Sequence, residues 1–174
     1  MSLAELLCAA YVSLLLPNAD VACENMETVV DVAYEHDVDP TVMVSLIFVE
    51  SRWTPKARSQ SNACGLTQVL PKYSNGYRNR FGKKLTCRQL QNPKTSIERG
   101  TKILSYYLDR YRDSYKRSLC AYNAGWSRCK SRHGTHKGYR YAQKVMRLAK
   151  RLDRETEKMQ AEYLDQEYVP GCYE

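Results

Sequence analysis

Lysine and arginine are missing from the first fifty residues, and Asp and Glu from the stretch between Glu50 and Glu98. Phe and Trp are scarce, two of each, against fourteen Tyr. No Cys-x-x-Cys spacing occurs and the three His form no zinc pattern, so nothing calls for a metal or other cofactor. No repeat or low-complexity tract breaks the chain. Residues 6–16, LLCAAYVSLLL, are apolar but too short to span a bilayer. No basic stretch precedes them and Glu5 intrudes, which argues against a signal peptide. They read as a helix that is buried or docks on a partner or membrane.

What is present is charge, sharply sorted. Residues 1–50 carry nine acids and no base, a net of −9. Residues 51–152 carry 25 bases and 3 acids, a net of +22, and residues 153–174 carry 2 bases and 7 acids, a net of −5. Such an arrangement fits a self-complementing fold, or a basic face for a polyanion with acidic ends toward a partner. A nucleic acid ranks low as that polyanion. Seven cysteines leave at least one unpaired within the chain. Their scattered spacing favours free buried thiols in a reducing compartment. If the chain is oxidised, Cys120 and Cys129 are the first pair expected to bridge.

Helix signals are frequent. Residues 2–16 read as helical and stop before Pro17. A second helix is expected over 20–36, with Met26, Val29, Val30, Ala33 and Tyr34 at spacings of three and four. Asp39-Pro40 is a strong helix start. The run it opens, VMVSLIFVE, is apolar almost all round and predicts the central core helix, ending at Glu50. Pro, Ser, Asn and Gly then break residues 51–70 into a loop. Later helices are expected over 93–111, 114–123 and 139–160, with a basic loop at 126–137. Tyr141, Val145, Leu148 and Leu152 form the inward stripe of the last helix.

A carboxyl at the negative end of a helix, beside Ile47 and Phe48, loses solvation and meets an adverse field, and both effects raise its pKa. A general acid at neutral pH needs that proton. Glu50 is therefore the candidate acid. With no other carboxylate before Glu98, a paired-carboxylate glycosidase with its second acid shortly downstream is excluded.

Four blocks lie in order along the chain: Glu50-Ser51, Gly65-Leu66-Thr67-Gln68, Asn92-Pro93 and Ala121-Tyr122-Asn123-Ala124-Gly125. Together they resemble the catalytic core of the soluble lytic transglycosylases, over roughly residues 27–152. The resemblance implies a mainly α, lysozyme-like helical domain of the goose-type or SLT kind around a central buried helix, with at most a small β or loop region after Glu50. It divides the chain into an N-terminal helical extension (1–26), the transglycosylase domain (27–152) and an acidic C-terminal tail (153–174). It implies that Glu50 is catalytic and that Ser59, nine positions on, hydrogen-bonds it. Gln68 and Asn123 would contact substrate, and the Tyr122 hydroxyl would point at Glu50. Gly100 matches a family glycine at a close helix approach. Thr67 stands where the family usually has Met, a change expected to alter the cleft wall. Thr135 to Tyr139 lack the acid that the family often uses on the stem peptide.

The activity implied is cleavage of the MurNAc-GlcNAc bond of peptidoglycan with formation of a 1,6-anhydro ring. The alternatives are a goose-type hydrolysing lysozyme and an inactive structural protein docked on peptidoglycan. Expected partners are glycan strands and, through the acidic ends, virion or secretion-apparatus proteins. The expected location is a phage particle opening the wall during genome entry, with the periplasm as the alternative.

Overall fold

In the computed structural model of the chain, residues 1–129 and 137–167 are described, the side chains of 166 and 167 excepted. Eight α-helices are joined by loops and short 3₁₀ turns, and no strand forms among the described residues. Isolated bridges, Arg58 to Cys64 and Cys64 to Val69, are all that remains of the small β region.

Helix α1 (Leu3–Ser13) starts on a capping box between Ser2 and Glu5. Helices α2 (Ala19–Glu24) and α3 (Met26–Glu35) replace the single helix expected over 20–36. The break is at Asn25, whose side chain donates to the Val21 carbonyl at 2.8 Å. The apolar spacing runs through it because both short helices turn the same side to one core.

Helix α4 (Pro40–Ser51) is the hub. The Asp39 carboxylate accepts from the Thr41 and Val42 N–H groups, and Pro40 fills the first helical position. Residues 40–47 are all buried, which is why no polar face is visible in the sequence. The chain then reverses through Arg52 (φ 50°) and Trp53 (φ 57°), two left-handed residues in succession. Such backbone is strained for side chains larger than Gly and needs external support. Asn18 donates to the Arg52 carbonyl at 2.7 Å, and the fully buried Trp53 ring packs edge-on to Tyr11. Tyr11 also packs edge-on to Phe48, so α1 backs the end of α4 that carries Glu50. Leu7, Ala10 and Tyr11 of α1 belong to the same core as Val44, Leu46 and Ile47.

A short helix α5 (Cys87–Leu90) precedes α6 (Pro93–Tyr111), which starts on an Asn92 cap. Helix α7 (Tyr115–Ala124) ends at Gly125, whose φ of 84° stops it. Helix α8 (Lys137–Glu167) runs well beyond the expected 139–160 and passes Asp153 without a break. Its Tyr141, Val145, Leu148 and Leu152 are buried as expected, and it packs on α7, α4 and α1.

The expectation of free thiols is overturned. Three disulfides join Cys8 to Cys23, Cys64 to Cys87 and Cys120 to Cys129. Each closes a loop between neighbouring elements, a proximity that linear spacing did not reveal. The Cys120–Cys129 pair is the one singled out for an oxidised chain. Cys172, Thr135, His136 and most of the basic loop at 126–137 lie outside the described residues. No helix among those described is long and apolar enough to cross a membrane.

Candidate active site

A cleft of about 980 Å³ opens between the end of α4, the loop that follows it, α6 and α7. Glu50, Ser59, Gln68, Tyr122 and Asn123 all line it, so the fold brings the five expected residues together. Glu50 is the only carboxylate on its walls among the described residues. Nor do those residues contain a cluster able to hold a metal.

Glu50 is only partly exposed, and the protein packed around its carboxyl raises its pKa from 4.5 to about 7 by desolvation. The Tyr141 hydroxyl of α8 lies beside it and opposes that rise, because a hydroxyl donor favours the carboxylate. The contact falls short of full hydrogen-bond geometry, and the buried hydroxyl makes no hydrogen bond elsewhere. The hydroxyl is thus left facing the Glu50 carboxyl. Sequence periodicity put Tyr141 on the inward stripe but read it as core. Only the pairing of α8 with α4 identifies what its tip faces.

Two roles implied by the resemblance differ in the structure. The Tyr122 hydroxyl donates to the Thr67 carbonyl at 2.8 Å and not to the Glu50 carboxyl. Tyr122 is partly buried, and desolvation of its hydroxyl, with the nearby Glu50 charge adding to it, holds its pKa well above the ordinary value, so it stays neutral. Ser59 does not hydrogen-bond Glu50. It is exposed, and its Oγ accepts from the Ala63 N–H at 3.0 Å, holding its own loop. Gln68 also serves the loop, donating to the Ala57 and Gly65 carbonyls at 3.2 and 2.9 Å from a left-handed backbone (φ 48°). Both amide N–H groups are thereby used, which leaves Oε1 as its polar atom for a ligand. Asn123 is exposed at the cleft.

Thr67 does not alter the cleft wall as expected. It is fully buried under α6, where its hydroxyl donates to the Ser96 carbonyl at 2.8 Å. Gly100 is required there, since a Cβ would stand 2.5 Å from the Thr67 Cβ. The close approach is therefore between α6 and the Gly65–Gln68 turn. Gly65 (φ 80°) is equally constrained, because its Cβ would meet the Leu90 carbonyl oxygen at 1.8 Å. The Cys64–Cys87 disulfide fastens the same turn to α5.

The opposite wall is aromatic. Phe81 packs edge-on to Tyr106, which contacts Tyr107, and Trp126 stands 45% exposed at the rim. The loop bearing Phe81 is anchored by Arg99, which donates to the Ser74 and Lys83 carbonyls. Burial lowers the pKa of this guanidinium, and its role here is to hold backbone. Flat apolar rings beside polar donors suit a carbohydrate.

A helical fold built on a buried central helix, with one desolvated acid in an open cleft, defines a lysozyme-like class. Two solved structures share the fold: the inactive E503Q mutant of lytic transglycosylase Slt from Pseudomonas aeruginosa and the 70 kDa soluble lytic transglycosylase SLT70 of Escherichia coli. The first superposes with a TM-score of 0.66 at 23% identity, over 78% of this chain and 24% of that one. The second gives 0.63 at 20%, over 77% and 26%.

The transglycosylase SLT domain model matches residues 28–145, and the chain belongs to that family. It is 37% identical over 82 residues to membrane-bound lytic murein transglycosylase E of Buchnera aphidicola, covering 45% of this chain and 37% of that one. With the soluble lytic murein transglycosylase of Escherichia coli K12 it shares 33% over 91 residues, 51% of this chain and 14% of the other. The chain thus spans little more than a third, at most, of these relatives.

Proposed function

We propose that the protein is a peptidoglycan lytic transglycosylase in which Glu50 is the single general acid and base. One observation carries the reading: the only carboxyl lining the cleft among the described residues is held by desolvation at a pKa of about 7, so both its forms are accessible near neutrality. Family membership and the murein-cleaving names of the relatives support it.

Protonated Glu50 gives its proton to the oxygen bridging MurNAc and GlcNAc, and the bond from MurNAc C1 to that oxygen breaks. The carboxylate so formed takes the proton of the MurNAc C6 hydroxyl, whose oxygen closes onto C1. The acid ends as it began, and the product carries a 1,6-anhydro ring. Water is not a reactant, so no second carboxylate is needed to activate it. Tyr141 steadies the carboxylate between the two half-steps, and the aromatic wall with Gln68 and Asn123 holds the sugars.

The test is mass analysis of digested sacculi. Glycan ends one water lighter than hydrolysis products are expected, and none with Glu50→Gln. Reducing ends would assign a goose-type lysozyme instead, and intact sacculi an inactive docking protein.

The site of action we propose is the cell wall, reached after export. Three disulfides form and persist in an oxidising compartment, which favours the periplasm over a phage particle assembled in a reducing cytosol. If the protein is nonetheless carried by a virion or a secretion apparatus, the acidic ends are the surfaces offered to it, and finding the chain in purified particles would establish that route.

A further inference from the structure

The cleft carries more positive charge than a neutral sugar can use. Lys72, Arg80 and Arg128 line it and are all exposed, while its one carboxyl among the described residues is the partly exposed Glu50. Among the described residues a single ion pair lies within 4 Å, Lys158 to Glu162 on α8, so none of the described carboxylates pairs with these three. They are also partly held in place. The Lys72 ammonium sits 4.7 Å from the centre of the Tyr73 ring, and the Arg80 guanidinium 4.8 Å from that of Tyr106. Arg128 donates one N–H to the Ala124 carbonyl at 3.2 Å. Cations already stacked or tethered lose less freedom on gripping an anion.

GlcNAc and MurNAc within a strand carry no charge, because the MurNAc carboxyl is bonded to the stem peptide. The anionic groups of a strand are the free carboxylates along that stem. Resting on the function proposed above, we propose that Lys72, Arg80 and Arg128 recognise those stem carboxylates, making the protein selective for glycan whose stems are free acids over glycan whose stems are amidated. Arg and Lys hold carboxylates through charge-assisted hydrogen bonds, and an uncompensated positive cleft also draws the polyanion in.

The test is binding, read by co-sedimentation of the full chain bearing Glu50→Gln with sacculi. Native sacculi are compared with sacculi whose stem carboxylates have been converted to amides by carbodiimide and ammonia. Native sacculi should bind about tenfold more tightly, the size three exposed ion pairs can supply. Adding Lys72→Gln, Arg80→Gln and Arg128→Gln should erase the difference. Adding Lys144→Gln, Arg147→Gln and Lys150→Gln, on the exposed face of α8, should preserve it. Equal binding to the two preparations overturns the proposal, and needs no folded triple variant to be seen. So does a loss with the α8 variant matching that with the cleft variant, which would assign the effect to overall charge. Failure of the wild type to release any product from native sacculi would sink the transglycosylase reading separately, since the binding comparison stands without turnover.

Discussion

Replacing Glu50 by Gln should make the folded protein more stable at alkaline pH and leave it unchanged in acid. The magnitude follows from the burial of the carboxyl. Its pKa stands at about 7 in the fold against 4.5 ordinarily. Between those values the folded state holds a proton that the unfolded chain has released, so stability falls as pH rises from about 4.5 to about 7 and is level beyond. At about 1.4 kcal/mol per pH unit the full loss is about 3 kcal/mol, trimmed to about 2 where cleft water reaches the group. Gln is nearly isosteric, carries no charge, and keeps an oxygen for the Tyr141 hydroxyl. The variant should therefore gain about 2 to 3 kcal/mol at pH 8, a rise of about 4 to 10 °C in Tm for a chain of this size, and nothing at pH 4. Thermal melts across that range, with the disulfides intact, read it directly. A gain independent of pH, or a loss at pH 8, would mean that the carboxylate is solvated or paired in the fold, and the single-acid argument would fail.

Tyr141→Phe removes the hydroxyl that favours the Glu50 carboxylate. The alkaline fall of kcat/KM, expected near pH 7, should move upward, and kcat should drop about 10-fold, the low end of the worth of a hydrogen bond to a charged group because the contact is short of full geometry. An unchanged pH profile refutes the contact. Converting Cys64 and Cys87 to Ser frees the Gly65–Gln68 turn from α5 and should cost about 3 kcal/mol in urea denaturation, given the 23-residue separation. Gly65→Ala should destabilise by about 3 kcal/mol or more, since the new methyl overlaps the Leu90 carbonyl oxygen at a positive φ; a melt like that of the wild type would show that the turn can move.

What the sequence disclosed about the site divides along a physical line. The solitude of Glu50 was legible because an absence of acids can be counted along a chain. Its helix was legible because Asp39-Pro40 is a local cap and an all-round apolar run has one destination, the core. The break at Asn25 was hidden, since α2 and α3 keep one apolar side across it. The reach of α8 past residue 160 was hidden for the opposite reason: residues 161–165 are all exposed, and apolar ones such as Leu164 form no inward stripe. Residues of good helix propensity and pairs such as Lys158–Glu162 sustain them without an apolar stripe to announce them. The roles of Ser59 and Tyr122 went astray because a hydroxyl takes its best available partner, and Ala63 and Thr67 offer backbone groups close by. Tyr141 is the converse case. Periodicity states that a side chain points inward and is silent on which distant element meets it. A buried hydroxyl left without a hydrogen bond becomes visible only when α8 is laid against the end of α4. The chemistry we propose for this cleft therefore rests on one residue that the sequence singles out and one that only the helix packing reveals.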